Sequence, residues 1–104
     1  MFYVLFYYII CDTHTFEDRK NLTINMVQNE FKETVTDVII KNVTIIGLYA
    51  FYLWSNNLNI QFQEPITLKS IESLAFYKCE NLKSISIPSS VQEIGVTHLN
   101  LVQI

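Results

Sequence analysis

Glycine is nearly missing from this chain of 104 residues, which has only Gly47 and Gly95. Two isolated glycines cannot build a phosphate-cradling loop, so nucleotide-binding loops of that kind are excluded. Cysteine is equally scarce: Cys11 and Cys79 lack metal-ligand spacing, and they either pair with each other or leave free thiols. His14 and His98 are far apart, and no Cys, Asp or Glu recurs around them at ligand spacing, so no metal site is expected. Charge is sparse too. Only 16% of residues are charged and the net charge is −3, with a pI near 5.2. No basic stripe exists, and nucleic acid is not an expected partner. Ser70, Ser73, Ser84, Ser86, Ser89 and Ser90 have no neighbouring His and Asp, so no nucleophile stands out and no enzyme or cofactor is expected.

Long apolar runs are also few. The most apolar stretch, residues 1–11, is too short to span a bilayer, which takes about 20 residues. Its length suits the core of a secretory signal peptide. It lacks a basic start and a small-x-small cleavage site, so an apolar strand at the edge of the fold is the other reading. Two sequons, Asn21-Leu22-Thr23 and Asn42-Val43-Thr44, fit a secreted or cell-surface chain. A cytoplasmic location is the alternative. Half the residues are hydrophobic, which suits one β-rich domain and argues against disorder.

The scarce residues share a ruler. The two alanines, Ala50 and Ala75, are each followed by Phe-Tyr and lie 25 residues apart. Pro65 and Pro88 lie 23 apart, and each glycine follows an isoleucine. Sliding the chain by 23 from Pro65 lays Leu68 on Val91, Ile71 on Ile94, Phe76 on Leu99 and Cys79 on Val102. Upstream, Ile46, Ala50, Phe51 and Trp54 land on Ile71, Ala75, Phe76 and Cys79 at a spacing of 25. Two extra residues are therefore expected in the Asn-rich stretch 55–60, as a loop. A period of 23 lies within the range of leucine-rich repeats.

Leu82-Lys83-Ser84-Ile85-Ser86-Ile87-Pro88-Ser89-Ser90-Val91-Gln92-Glu93-Ile94-Gly95 and Ala75-Phe76-Tyr77-Lys78-Cys79-Glu80-Asn81-Leu82 resemble the unit of BspA-like leucine-rich repeats, also called the Treponema pallidum type. The resemblance covers about residues 35–104 and leaves residues 1–34 outside. Trp54 stands where the family has Cys, and Glu72 replaces the Gly after Ile71. His98, Leu99 and Val102 stand for Ala, Phe and Cys, so the last unit is degenerate. The resemblance implies a mainly β leucine-rich-repeat solenoid (α/β by class convention) of about three short coils. Leu82, Ile85 and Ile87 would face inward, Phe76 and its equivalents would form a buried spine, and Cys79 would be a buried free thiol.

Residues 16–32 are expected to form a helix. Leu22, Met26, Val27 and Phe31 share a face, Glu17 and Asp18 suit its first turn, and Asp12, Thr13 or Thr15 would cap it. Residues 12–34 then cap the repeat. The likeness of residues 15–22 to residues 75–82 has an offset of 60, not a multiple of 23, and reads as coincidence. The outward strand positions Asp37, Ile39, Lys41, Asn59, Gln61, Gln63, Lys83, Ser84 and Ser86 would form a shallow polar face. The resemblance implies that this face binds a host, matrix or cell-surface protein without catalysis. A purely structural role, as part of a larger array, is the alternative. Leu99, Leu101, Val102 and Ile104 continue the inward pattern, and an uncapped last coil would self-associate.

Overall fold

The computed structural model describes residues 12–30, 32, 34–52, 54, 59–79, 82 and 85–95. Its described part is a mainly β repeat fold with one short helix. The order is β1 (Asp12–Leu22), α1 (Ile24–Glu30), β2 (Val35–Ile46), β3 (Asn59–Gln63), β4 (Ser70–Ile71) and β5 (Glu93–Ile94). All strands pair in parallel in one sheet: β2 takes β1 on one side and β3 then β4 on the other, and β5 follows β4. Parallel neighbours demand a return segment after every strand, and the repeat supplies it.

Burial follows from the alternation of side chains along a strand. In β2 the inward residues are Val35, Val38, Ile40, Val43 and Ile46. Strict alternation holds only over Val38–Ile40, and at Asn42 a φ of 52° turns the strand. Asp18 does the same in β1, at φ 59°. Asp and Asn tolerate this left-handed conformation better than most residues with a side chain. The two corners also bond to each other. Asn42 Nδ2 donates to Asp18 Oδ1 at 2.9 Å, and Thr67 Oγ1 donates to Asn42 Oδ1 at 3.2 Å. On the next pass the corner contains Pro65, which has no N–H to give to a ladder, and two short strands, β3 and β4, replace one long one.

The register locates an irregularity. Thr13 lies opposite Asp37 and Leu22 opposite Ile46, a step of 24. Asp37 lies opposite Asn59, a step of 22, whereas Ile45 lies opposite Ser70, a step of 25. The corner at 64–69 therefore holds three residues more than the corner at 42–44. The two extra residues expected in 55–60 are thereby corrected: the step is only 22 up to Gln63, so the surplus that makes the 25 spacing lies in 64–69.

The phenylalanine spine forms as expected. Phe51 and Phe76 are buried and stack at 5.2 Å with their rings 8° from parallel. Phe16 meets Phe51 edge-on at 6.0 Å. Ala50 and Ala75 are fully buried, and Phe51 N–H donates to Ala75 O at 2.7 Å, a closeness that a larger side chain at either alanine would crowd. The glycines serve a similar need, since neither has positive φ. A Cβ on Gly95 would lie 2.5 Å from Ser73 N, and one on Gly47 would lie 2.9 Å from Asn21 Oδ1. Glu72 occupies the equivalent step between them, its N–H donating to Ile46 O as Gly95 N–H donates to Ile71 O.

The expected helix over residues 16–32 is corrected. Residues 16–22 lie in β1, and only Ile24–Glu30 is helical. Thr23, not Asp12, Thr13 or Thr15, caps it: its Oγ1 accepts from Met26 N–H at 3.3 Å, and its carbonyl accepts from Val27 N–H. Of the expected apolar face, Leu22 belongs to the strand, Val27 is buried, Met26 is exposed and Phe31 lies outside the described residues. Pairing with β2 overrides the helical spacing, because it places Phe16 and Leu22 in the core.

Candidate functional site

The outward positions of the first arms of β1, β2 and β3 make one surface. Three lateral rows cross it: Thr13–Asp37–Asn59, Thr15–Ile39–Gln61 and Glu17–Lys41–Gln63. Asp37, Ile39 and Lys41, on the middle strand, are half-buried, while Asn59, Gln61 and Gln63 are exposed. Asn59 Nδ2 donates to Asp37 Oδ1 at 3.1 Å, and Thr36 Oγ1 donates to Asp37 Oδ2 at 3.3 Å, so Asp37 is held in place from two sides. Ser86 is exposed and shares a groove with Asn59 and Gln61, floored by Ile60, Phe62 and Ile85. Lys83 and Ser84 lie outside the described residues.

Thr13, Thr15 and Glu17 were not expected on this face. All three are exposed, and they alternate with half-buried His14 and buried Phe16. The alternation Thr-x-Thr-x-Glu around Phe16 is the signal that could have found them, and the helical reading hid it.

Among the described residues, the one thiol and the ion-pair cluster serve the structure. Cys79 is a buried free thiol whose S–H donates to Phe51 O at 2.8 Å. Burial pushes it up to about 12, so it stays protonated and unreactive at neutral pH. Cys11 and His98 lie outside the described residues. His14 Nε2 lies 3.0 Å from Glu30 Oε1, and the two terminal guanidinium nitrogens of Arg19 donate to the same carboxylate. The Arg19 hydrogen bonds, with a smaller contribution from His14, hold the Glu30 carboxyl below its usual range. This cluster fastens α1 to β1. No group of three His, Cys, Asp or Glu among the described residues could hold a metal ion. The sequon residue Asn42 has both ends of its amide committed at the corner, whereas Asn21 is exposed. No helix among the described residues is long and apolar enough to cross a membrane.

These parallel passes, with a stacked phenylalanine spine inside and Gly after Ile at the close contacts, are the physical content of one repeat family. The family model described as BspA type Leucine rich repeat region (6 copies) matches residues 23–101. The chain belongs to the BspA-type leucine-rich repeat family. The match begins upstream of residue 35, where the resemblance first became readable, and strand pairing carries the stacking back to Asp12. Residues 15–22 lie one step of 24 before residues 39–46, on the strand part of the repeat, so their likeness to residues 75–82 is a coincidence of sequence. No curated protein and no solved structure matches the chain. BspA-type repeats are generally non-catalytic and often serve protein binding or adhesion.

Proposed function

We propose that the chain is a non-catalytic protein-binding module of the adhesion kind, and that its ligand docks on the polar strand face. The observation that carries this reading is the register, which puts nine outward side chains from three strands into three aligned rows. The face is broad and weakly charged, and much of it is threonine, asparagine and glutamine. Such side chains offer donors and acceptors without the desolvation cost of packed ions. Ile39, half-buried at the centre, supplies the apolar contact around which a rim of this kind excludes water. Repeat proteins bind partners on extended surfaces of this type.

In this reading the passes stack as a short solenoid with α1 as its N-terminal cap. The chain works outside the cell or on its surface, with a host or matrix protein as ligand. The test is surface plasmon resonance against immobilised collagen, laminin and fibronectin. Ile39→Asp combined with Gln61→Arg should weaken binding at least tenfold, about 1.4 kcal/mol, with unchanged circular dichroism. Lys69→Ala, on an exposed position away from the rows, should leave binding intact. Binding that ignores the double substitution overturns the choice of face, and absence of binding to all three proteins overturns the matrix-ligand reading.

A further inference from the structure

We infer that a second groove, on the other arm of the strands, docks an extended partner segment that carries arginine among apolar residues. This does not rest on the strand face above. The groove lies past the Asn42 corner, along the lateral row Ile45–Ser70–Glu93 that the β2–β4–β5 register sets. Leu48 and Ile94 line it, 50% and 39% exposed. They are two of the three large hydrophobics exposed among the described residues, the third being Met26. Ser70, between Ile45 and Glu93 in this row, is small and half-buried.

Charge complementarity selects the occupant. Glu72 stands where the neighbouring passes have Gly47 and Gly95, so one long acidic side chain rises from a line otherwise reduced to backbone. Glu93 lines the same groove, and both residues are exposed. Among the described residues the ion pairs all run to Glu30, and neither Glu72 nor Glu93 has one. An arginine can lay its aliphatic stem on Leu48 and Ile94 and present its planar fork to a carboxylate. A neutral apolar segment would leave the carboxylates facing buried surface, and an acidic one would be repelled.

The experiment uses the full chain and a fluorescein-labelled peptide of alternating Leu and Arg, read by fluorescence anisotropy. The same peptide with Glu for Arg is the counter-probe. The Arg peptide should bind and the Glu peptide should not. Glu72→Gln with Glu93→Gln, and separately Leu48→Ser, should each weaken binding about fivefold or more. Glu64→Gln, which removes an exposed carboxylate outside the groove, should not. Equal losses in Glu64→Gln and the groove variants would show attraction to net charge alone and overturn the proposal. Absence of Arg-peptide binding would overturn it too. So would a concentration-dependent dimer in sedimentation that Leu48→Ser abolishes, since the occupant would then be a second copy of the chain.

Discussion

The two ends of the sheet are held by different means. At the first end β1 and β2 run side by side for 11 and 12 residues, from Asp12 opposite Val35 to Leu22 opposite Ile46. At the other end β4 and β5 share only two residue pairs. Burial does not follow this difference: Leu68, Ile71, Phe76, Leu82 and Ile85 are as deeply buried as Phe16, Val38 and Ile46. Backbone pairing and the side-chain spine are therefore separable supports. Where Pro65 and Pro88 cut the ladder short, the spine carries more of the repeat, beside isolated main-chain bonds such as Gly95 N–H to Ile71 O and Phe51 N–H to Ala75 O.

The largest expected effect tests that separation. Phe76→Ala should cost toward the top of the roughly 3–5 kcal/mol usual for a buried Phe→Ala change, measured by urea unfolding. Its ring stacks face to face on Phe51, and around it there is little ladder to hold the chain. Phe16 is just as buried but meets Phe51 edge-to-face rather than stacked, with His14 and Arg19 also against its ring, and β1 has its long ladder with β2 for support. Phe16→Ala should therefore fall at the lower end of the same range. A larger loss for Phe16→Ala would mean that the first end leans on its side chains more heavily than the other end does.

A methyl group gives the next test. On Gly95 the new Cβ would lie 2.5 Å from Ser73 N and 2.8 Å from Ser73 Cα, backbone that cannot step aside without shifting a neighbouring pass. Gly95→Ala should cost about 1–3 kcal/mol, the usual range for overpacking. On Gly47 the nearest atom is Asn21 Oδ1, at the end of an exposed side chain that can swing away, with Leu22 O next at 3.1 Å. Gly47→Ala should cost clearly less. Equal costs in chemical denaturation would show that close approach is as strict at the laddered end as at the other.

The same contrast explains what was legible beforehand. The repeat phrase is strongest in residues 75–95, where the strands are shortest, and unreadable in residues 12–22, where β1 is among the longest. The phrase records inward side chains and close contacts, the parts that only one or two residue types can fill. It is silent about main-chain pairing, which almost any residue can make. Glu17-Asp18-Arg19-Lys20 has poor strand propensity, and nothing local announces that Asp18 turns a corner and bonds to Asn42 across 24 residues. The helical spacing of Leu22, Met26, Val27 and Phe31 then filled the gap with the wrong element. The polar face was incomplete for the same reason: Thr13, Thr15 and Glu17 join it only once β1 is a strand. Phe51, Phe76, Cys79 and the alanines were readable because each solves a packing problem at a fixed place in the repeat.

The smallest effect belongs to the laddered end. Glu30 ties α1 to β1 through Arg19 and His14, and these groups are partly open to solvent. At neutral pH, Glu30→Gln should cost less than about 1 kcal/mol, as exposed ion pairs usually do. Arg19 holds the Glu30 carboxyl below its unfolded value, so the native chain binds this proton later than the unfolded chain. The contribution is full above the unfolded value, near 4.3 for a glutamate, and fades as the pH falls through the lower folded one. Wild type and Glu30→Gln should therefore differ at neutral pH, converge in acid, and draw together as salt is added. Hydrogen exchange should show the loosening in Ile24–Glu30 while the β1–β2 amides stay protected. If those amides lose protection as well, α1 supports the ladder rather than resting on it, and the long pairing of the first end is not self-sufficient.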